Sequence, residues 1–224
     1  MEGLKIIDTG DGSHTLYNKA LDETYHSTHG ALTESQHVFI KEGLQFKLDT
    51  LNTKEISILE VGFGTGLNAL LTCLEAEKTQ IKIYYHTLEP YPVDAELLDS
   101  LNYTLNLPQK AKAIFNDLHQ ATWEERHSIT PFLDLHKLQA TLESFRERNK
   151  FDVVYFDAFA PRKQPELWEN AALSCATNSL KQHGVFVTYS AMGALKRNLK
   201  ALGLEVSSIS GPPGKREMTR GIKI

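Results

Sequence analysis

The stretch Ile56–Leu71, ISILEVGFGTGLNALL, places three glycines at alternate positions between a β-branched run and an apolar helical run. Such an order reads as a buried strand, a tight turn and a helix, the opening unit of an α/β sheet. Working outward, KIYYHTLEP gives a second strand ended by Pro90, and VDAELLDSLNYTL a helix. AKAIFNDLHQATWEE reads as a helix, SITPFLDLH as a third strand and LQATLESFRER as another helix. FDVVYFDAF is the clearest strand. After it come a helix in PELWENAALSCATNSL, a strand in HGVFVTYS, a helix in GALKRNLKAL and closing strands in LEVSSIS and RGIKI. Upstream, residues 1–30 read as extended pieces and loops, and TESQHVFIKEGLQFKL as a helix with Thr33 or Ser35 as its cap. The alternation predicts a mostly parallel, doubly wound sheet over 51–224, with residues 1–50 as an N-terminal extension packed on it.

Composition limits the function classes. The 224 residues are 41% hydrophobic with a formal charge of −4, enough for one substantial core and unlike a wholly basic nucleic-acid coat. No apolar run of about 18 residues is present and the start lacks the pattern of a signal peptide, so a soluble cytoplasmic protein is expected. Cys73 and Cys175 form no CxxC pair and are expected as buried thiols. His14, His26, His29 and His37 crowd the first forty residues without metal-ligand spacing, so no metal is expected.

The glycine turn carries the first chemical signal. Ligands of doubly wound sheets sit beyond the carboxyl ends of the strands, where the first strand turns into its helix. The spacing Gly62-x-Gly64-x-Gly66 after Glu60 is neither the G-x-G-x-x-G of dinucleotide sites nor a phosphate loop, since Leu67 and Asn68 follow. It resembles the first motif of Rossmann-like, class I S-adenosylmethionine-dependent methyltransferases, whose glycine turn packs on a cofactor without phosphate. Glu60, Gly62, Phe63, Gly64, Gly66 and Asn68 are then expected at the cofactor. Glu89, 23 residues beyond Gly66, ends the second strand where an acid accepts ribose hydroxyls. Asp157 ends the fourth strand on the ligand side, and Phe159 and Pro161 follow as candidate pocket walls. Tyr25, His29, Glu34 and Ser35 read as a lead-in folded over the mouth, with Glu34 placed to meet the cofactor's ammonium.

Three longer pieces narrow the resemblance. LEVGFGTGLN, FDVVYFDAFAPRKQPELW and GPPGKREMTRGI, with the opening LDETYHSTHGALTESQHVFI, resemble the methyltransferase part of the MnmC family of tRNA-modifying enzymes. The glycine motif is widely shared, whereas the D-A-F-A-P-x-K-x-P-E-L-W run is narrow. The resemblance implies methyl transfer to the primary amine of 5-aminomethyl-(2-thio)uridine at the wobble position in the tRNA anticodon loop. Asp157 would be the catalytic carboxylate, accepting an amine N–H and aiming the lone pair. Lys215 and Arg216 would hold the anticodon-loop backbone, with Lys196, Arg197, Lys200 and Arg220 enlarging a basic region. The 224 residues are expected to hold no flavin-dependent oxidase half, a departure from the bifunctional members. It also reads FLDLHKL where many members carry Gly-Asp, which leaves the adenine contact unassigned between Asp134, His136 and their neighbours. Two other readings stay open: a small-molecule methyltransferase or spermidine-synthase-like aminopropyltransferase, which would want a second carboxylate beside Asp157, and a non-catalytic cofactor- or RNA-binding module.

Overall fold

A computed structural model describes residues 3–50 and 53–224. The expected boundary between extension and domain, at 50 and 51, therefore falls partly outside the described residues. Strands β1 (Leu4–Asp8), β2 (His14–Asn18) and β3 (Glu23–Thr24) form a small antiparallel sheet. A helix, α1, follows over 31–48, and its Gln36–Gln45 portion is wound in wider π-type turns. Neither Thr33 nor Ser35 caps it. The cap position is Gly30, and the first-turn donors are met from the preceding loop, where Asp11 Oδ2 accepts the Thr33 N–H at 2.9 Å and Ser13 Oγ the Ala31 N–H at 3.2 Å. Burial raises the Asp11 carboxyl, but hydrogen bonds from Ser13 and Thr33 outweigh it and hold the group far below the ordinary range.

The main sheet contains β4 (Glu55–Val61), β5 (Lys82–Leu88), β6 (Arg126–Thr130), β7 (Leu133–Leu138), β8 (Phe151–Phe156), β9 (Leu180–Thr188), β10 (Leu204–Ser210) and β11 (Glu217–Lys223). Their spatial order is β10-β11-β9-β8-β4-β5-β7-β6. The five strands from β9 to β7 run parallel, and β6, β11 and β10 are antiparallel additions at the edges. From β4 the chain travels outward through β5 to β7, then returns to place β8 on the other side of β4. That reversal makes the carboxyl ends of β4 and β8 the topological switch point, the place where such sheets open a crevice.

Helices α2 (Leu67–Thr79), α3 (Ala95–Asp99), α4 (Ala111–Gln120), α5 (Asn170–Ser179) and α6 (Gly193–Ala201) cover the two faces. Val38, Phe39 and Leu44 of α1 share one core with Leu70 of α2 and Phe115 of α4. Leu173 of α5 and Leu199 of α6 close the other face with Val154 and Phe156. Helix α1 approaches the sheet closely because Gly43 has no side chain; a Cβ there would lie 3.0 Å from Val187 and 3.1 Å from Tyr155.

Three expectations are corrected. SITPFLDLH is a hairpin of two strands, β6 and β7, since Pro131 cannot donate to a ladder and marks the turn. VDAELLDSLNYTL holds only the short α3 and a 3₁₀ turn at Tyr103–Asn106. LQATLESFRER is not a helix: Leu138 is drawn into register with Leu88, and only Leu142–Ser144 form a 3₁₀ turn. Leu142 and Phe145 still enter the core beside Leu88 and Phe151, so burial is achieved without helical winding. Cys73 is buried, whereas Cys175 is partly exposed.

Candidate active site at the carboxyl ends of the strands

The ends of the three central strands β4, β5 and β8 are tied beyond their ladders. The Gly62 N–H donates to Leu88 O at 2.9 Å and the Asp157 N–H to Val61 O at 3.0 Å. Gly62, Gly64 and Gly66 adopt φ of 94°, 51° and 72°, in the left-handed region. At Gly62 the requirement is also steric, since a Cβ would stand 2.6 Å from Asp157 O. The chain then enters α2, where the Leu70 N–H donates to Gly66 O at 3.0 Å. Glu89, beyond β5, clamps this turn: Oε2 accepts the Gly64 N–H at 3.0 Å and Oε1 the Tyr91 N–H at 2.9 Å. Burial pushes its carboxyl up, against the pull of those two N–H groups.

A cavity of about 820 Å³ opens over these strand ends. Its wall includes the glycine turn, Glu89 and Tyr91, and Ala140–Leu142 after β7. It also includes Tyr17 and Glu23–Tyr25 of the extension, Phe159, Ala160, Arg162 and Leu167 after β8, and Tyr189 and Lys215. The Tyr25 ring meets Phe159 edge-on at 5.0 Å. Ion pairs Arg162–Glu23 at 3.1 Å and Lys163–Asp22 at 3.4 Å fasten the extension to the segment after β8.

Charge concentrates at Asp157, Glu34 and Lys215. Asp157 Oδ2 accepts the Asn68 amide at 2.8 Å. Burial and then the neighbouring Glu34 push the Asp157 carboxyl up to about 7, while Asn68 and Lys215 act in the opposite sense. Glu34 accepts Lys215 Nζ at 2.7 Å on Oε1 and the Ser27 N–H at 2.7 Å on Oε2. Lys215 Nζ also lies 4.0 Å from the centroid of the Tyr189 ring, whose hydroxyl donates to Ala158 O at 2.8 Å.

Of the residues expected at the site, Glu34, Gly62, Phe63, Gly64, Asn68, Glu89, Asp157, Phe159 and Lys215 line the cavity. Glu60 does not. It is fully buried within β4, its Oε2 accepts the Thr87 hydroxyl at 2.7 Å, and desolvation raises its carboxyl to about 8. Gly66 shapes the turn, but a Cβ there would face His119. Pro161 is not part of the wall, which Phe159, Ala160 and Arg162 supply. Arg216 is exposed outside the cavity, while Lys215 is turned into it, away from a surface phosphate contact. Arg220 is occupied by Glu42 at 2.8 Å and lies over the Phe46 ring, and Lys196 is bound to Ser208 and Glu217.

Asp134 pairs with Lys82 at 2.7 Å and His136 packs against His86, so the cavity contacts from this edge come from Ala140–Leu142 instead. Sequence reasoning missed that loop and Tyr189. The latter carried a legible signal, an aromatic residue just past the carboxyl end of β9. The early histidines make structural bonds: His26 Nδ1 to Thr15 Oγ1 at 3.1 Å, and His37 Nε2 to Ser210 O at 2.8 Å. Among the described residues no group of three or more potential ligands could hold a metal ion, and no helix is long and apolar enough to cross a membrane.

Comparison with known proteins agrees with this geometry. Residues 106–224 match a family model described as S-adenosyl-L-methionine-dependent methyltransferase. The tRNA 5-methylaminomethyl-2-thiouridine biosynthesis bifunctional protein MnmC of Methylobacillus flagellatus is 29% identical over 219 residues, covering 92% of this chain and 33% of that protein. Its counterpart in Marinomonas sp. is 29% identical over 220 residues, covering 92% and 32%. The chain thus spans about a third of the length of these curated relatives. The crystal structure of MNMC2 from Aquifex aeolicus superposes with a TM-score of 0.81 at 29% identity, covering 99% of this chain and 70% of that one. With its family model matching more than half of the sequence, and with a glycine turn and acid at the switch point of the expected sheet, the chain belongs to the S-adenosyl-L-methionine-dependent methyltransferases.

Proposed function

We propose that this chain methylates the 5-aminomethyl group of wobble uridine or 2-thiouridine in tRNA, giving the 5-methylaminomethyl nucleoside. The observation that carries the reading is the half-buried Asp157, positioned between the glycine turn and an aromatic acceptor pocket, in a chain similar to MnmC proteins over 92% of its length. Residues 51–224 would form the catalytic domain and residues 1–50 an extension that walls the acceptor side. The site belongs to a cytoplasmic enzyme, where tRNA is the partner.

The residues present fit S-adenosylmethionine. The turn offers close backbone approach without Cβ atoms, and the buried Asn68 Oδ1 has no protein partner. Glu89 would hold the ribose hydroxyls. Glu34, expected to meet the cofactor's ammonium, is already engaged by Lys215 Nζ and the Ser27 N–H, so the ammonium would be met elsewhere on the cavity wall. Bound there, the cofactor supplies a sulfonium methyl group that is electrophilic without further activation. The protein's task is alignment and proton management. Asp157 accepts an N–H of the amine and thereby aims the nitrogen lone pair. Methyl transfer would leave a surplus proton on the amine nitrogen, and Asp157, whose affinity near neutrality suits it, would take up and then release that proton. Phe159 and Tyr25 would wall the base, and exposed Arg216 would hold backbone phosphate.

The aminopropyltransferase alternative wanted a second acid beside Asp157. Glu34 supplies one, but it is already paired with Lys215. Mass spectrometry of wobble nucleosides from cells with and without this gene tests the proposal. Loss of 5-methylaminomethyl derivatives with accumulation of 5-aminomethyl ones is expected; an unchanged nucleoside profile overturns it.

A further inference from the structure

Lys215 enters the cavity from the turn between β10 and β11. Its N–H donates to Pro212 O at 2.9 Å, and Gly214 beside it adopts φ 85°. Any side chain at Gly214 would run into His29, so the turn seats closely on the extension and delivers Lys215 to Glu34 and the Tyr189 ring. Charged and titratable groups face Asp157 from every neighbouring element: Glu34 of α1, Glu60 of β4, Tyr85 of β5, Tyr189 beyond β9 and Lys215 of this turn. Arg162 and Glu23 act on Tyr189 from the rim. Lys215 provides the positive charge in that group. Without it, the Glu34 charge would press unopposed on Asp157 and on an incoming amine.

We propose that Lys215 is a positioning residue of the acceptor subsite: its fixed ammonium offsets the Glu34 charge beside Asp157 and favours the uncharged form of an incoming amine. The inference rests on the proposed amine-methylating reading of the site. An alkylamine is mostly cationic at neutral pH and has no lone pair to offer in that form. An unopposed Glu34 carboxylate in the pocket would select the unreactive cation and bind it well. A cation already seated on Glu34 and Tyr189 reverses that preference, because a second positive charge beside it is disfavoured. Lys215 thus acts through the charge state of the acceptor and of Asp157, and takes no part in bond making.

Three variants of the full chain separate this role from a structural one. In Lys215→Met, the Asp157 carboxyl titration followed by ¹³C NMR, and the acidic limb of single-turnover methyl transfer, should both move up by about one pH unit. Lys215→Arg keeps the charge and should restore the wild-type profile. Glu34→Gln removes an anion and should move both readouts down. A merely structural ion pair would lower thermal stability in Lys215→Met and Glu34→Gln alike without opposite pH shifts. Shifts of the same sign, or none in folded variants, overturn the proposal. Titration shifts of the expected signs in a protein that never methylates aminomethyluridine tRNA would support the electrostatic role and overturn the substrate reading.

Discussion

Replacing Asp157 with asparagine should stabilise the protein while disabling it. The carboxyl titrates near 7 in the fold against an ordinary value of 3.8, so the folded state holds its proton more tightly than the unfolded chain. The sign follows directly. The penalty is absent below about pH 4, grows as pH rises towards 7 and is complete above it. At about 1.36 kcal/mol per pH unit the gap sets an upper bound of roughly 4 kcal/mol, and a side chain open to the cavity should realise about half. Asparagine has the same shape, and its amide can donate to the unpartnered Asn68 Oδ1 after a flip of the Asn68 amide. Urea denaturation of both proteins should therefore show a small difference at pH 5 and a stabilisation of about 2 kcal/mol at pH 8. Methyl transfer should fall by roughly 10²–10⁴-fold, the range of a lost general base, with cofactor affinity much less affected. A variant less stable than wild type at pH 8, or a difference independent of pH, would refute the electrostatic account of Asp157.

Other expectations are simpler to state. Gly62→Ala must absorb both a left-handed φ and a 2.6 Å clash with Asp157 O, and should lose at least about 2 kcal/mol and cofactor binding together, as read by thermal melting and calorimetry. Gly64→Ala should be milder, since its Cβ would meet only the Tyr25 ring at 3.1 Å. Glu89→Ala removes charge-assisted bonds worth roughly 1.5–3 kcal/mol each, so S-adenosylhomocysteine affinity measured by calorimetry should drop at least tenfold. Arg216→Ala should reduce the salt dependence of tRNA binding by roughly one unit of slope, whereas Lys215→Ala should leave that slope unchanged.

Much of the fold was legible because its signals are local. The glycine turn, the acid ending β5 and the apolar run of β8 each declare themselves within a few residues. Glu60 was misassigned for a physical reason: β4 is buried on both faces, so no polar alternation reveals which way its side chains point. Residues 138–145 carry leucine and phenylalanine at helical spacing, yet pairing with β5 and burial against β8 decide their conformation. Lys215 was the hardest to read. A lysine on a Gly-Pro turn suggests a solvent-facing cation, and its partner Glu34 lies 181 residues away in the chain. Only the docking of the extension on the β10–β11 turn brings the two together.

The central claim is tested most directly by supplying the purified protein with S-adenosylmethionine labelled in the methyl group and two tRNAs that differ only at the wobble nucleoside. Transfer of one methyl to the exocyclic nitrogen of 5-aminomethyl-2-thiouridine is predicted, with none to tRNA bearing unmodified uridine and a rate strongly reduced in Asp157→Asn. Label appearing in both tRNAs, at another atom, or in neither would contradict the account.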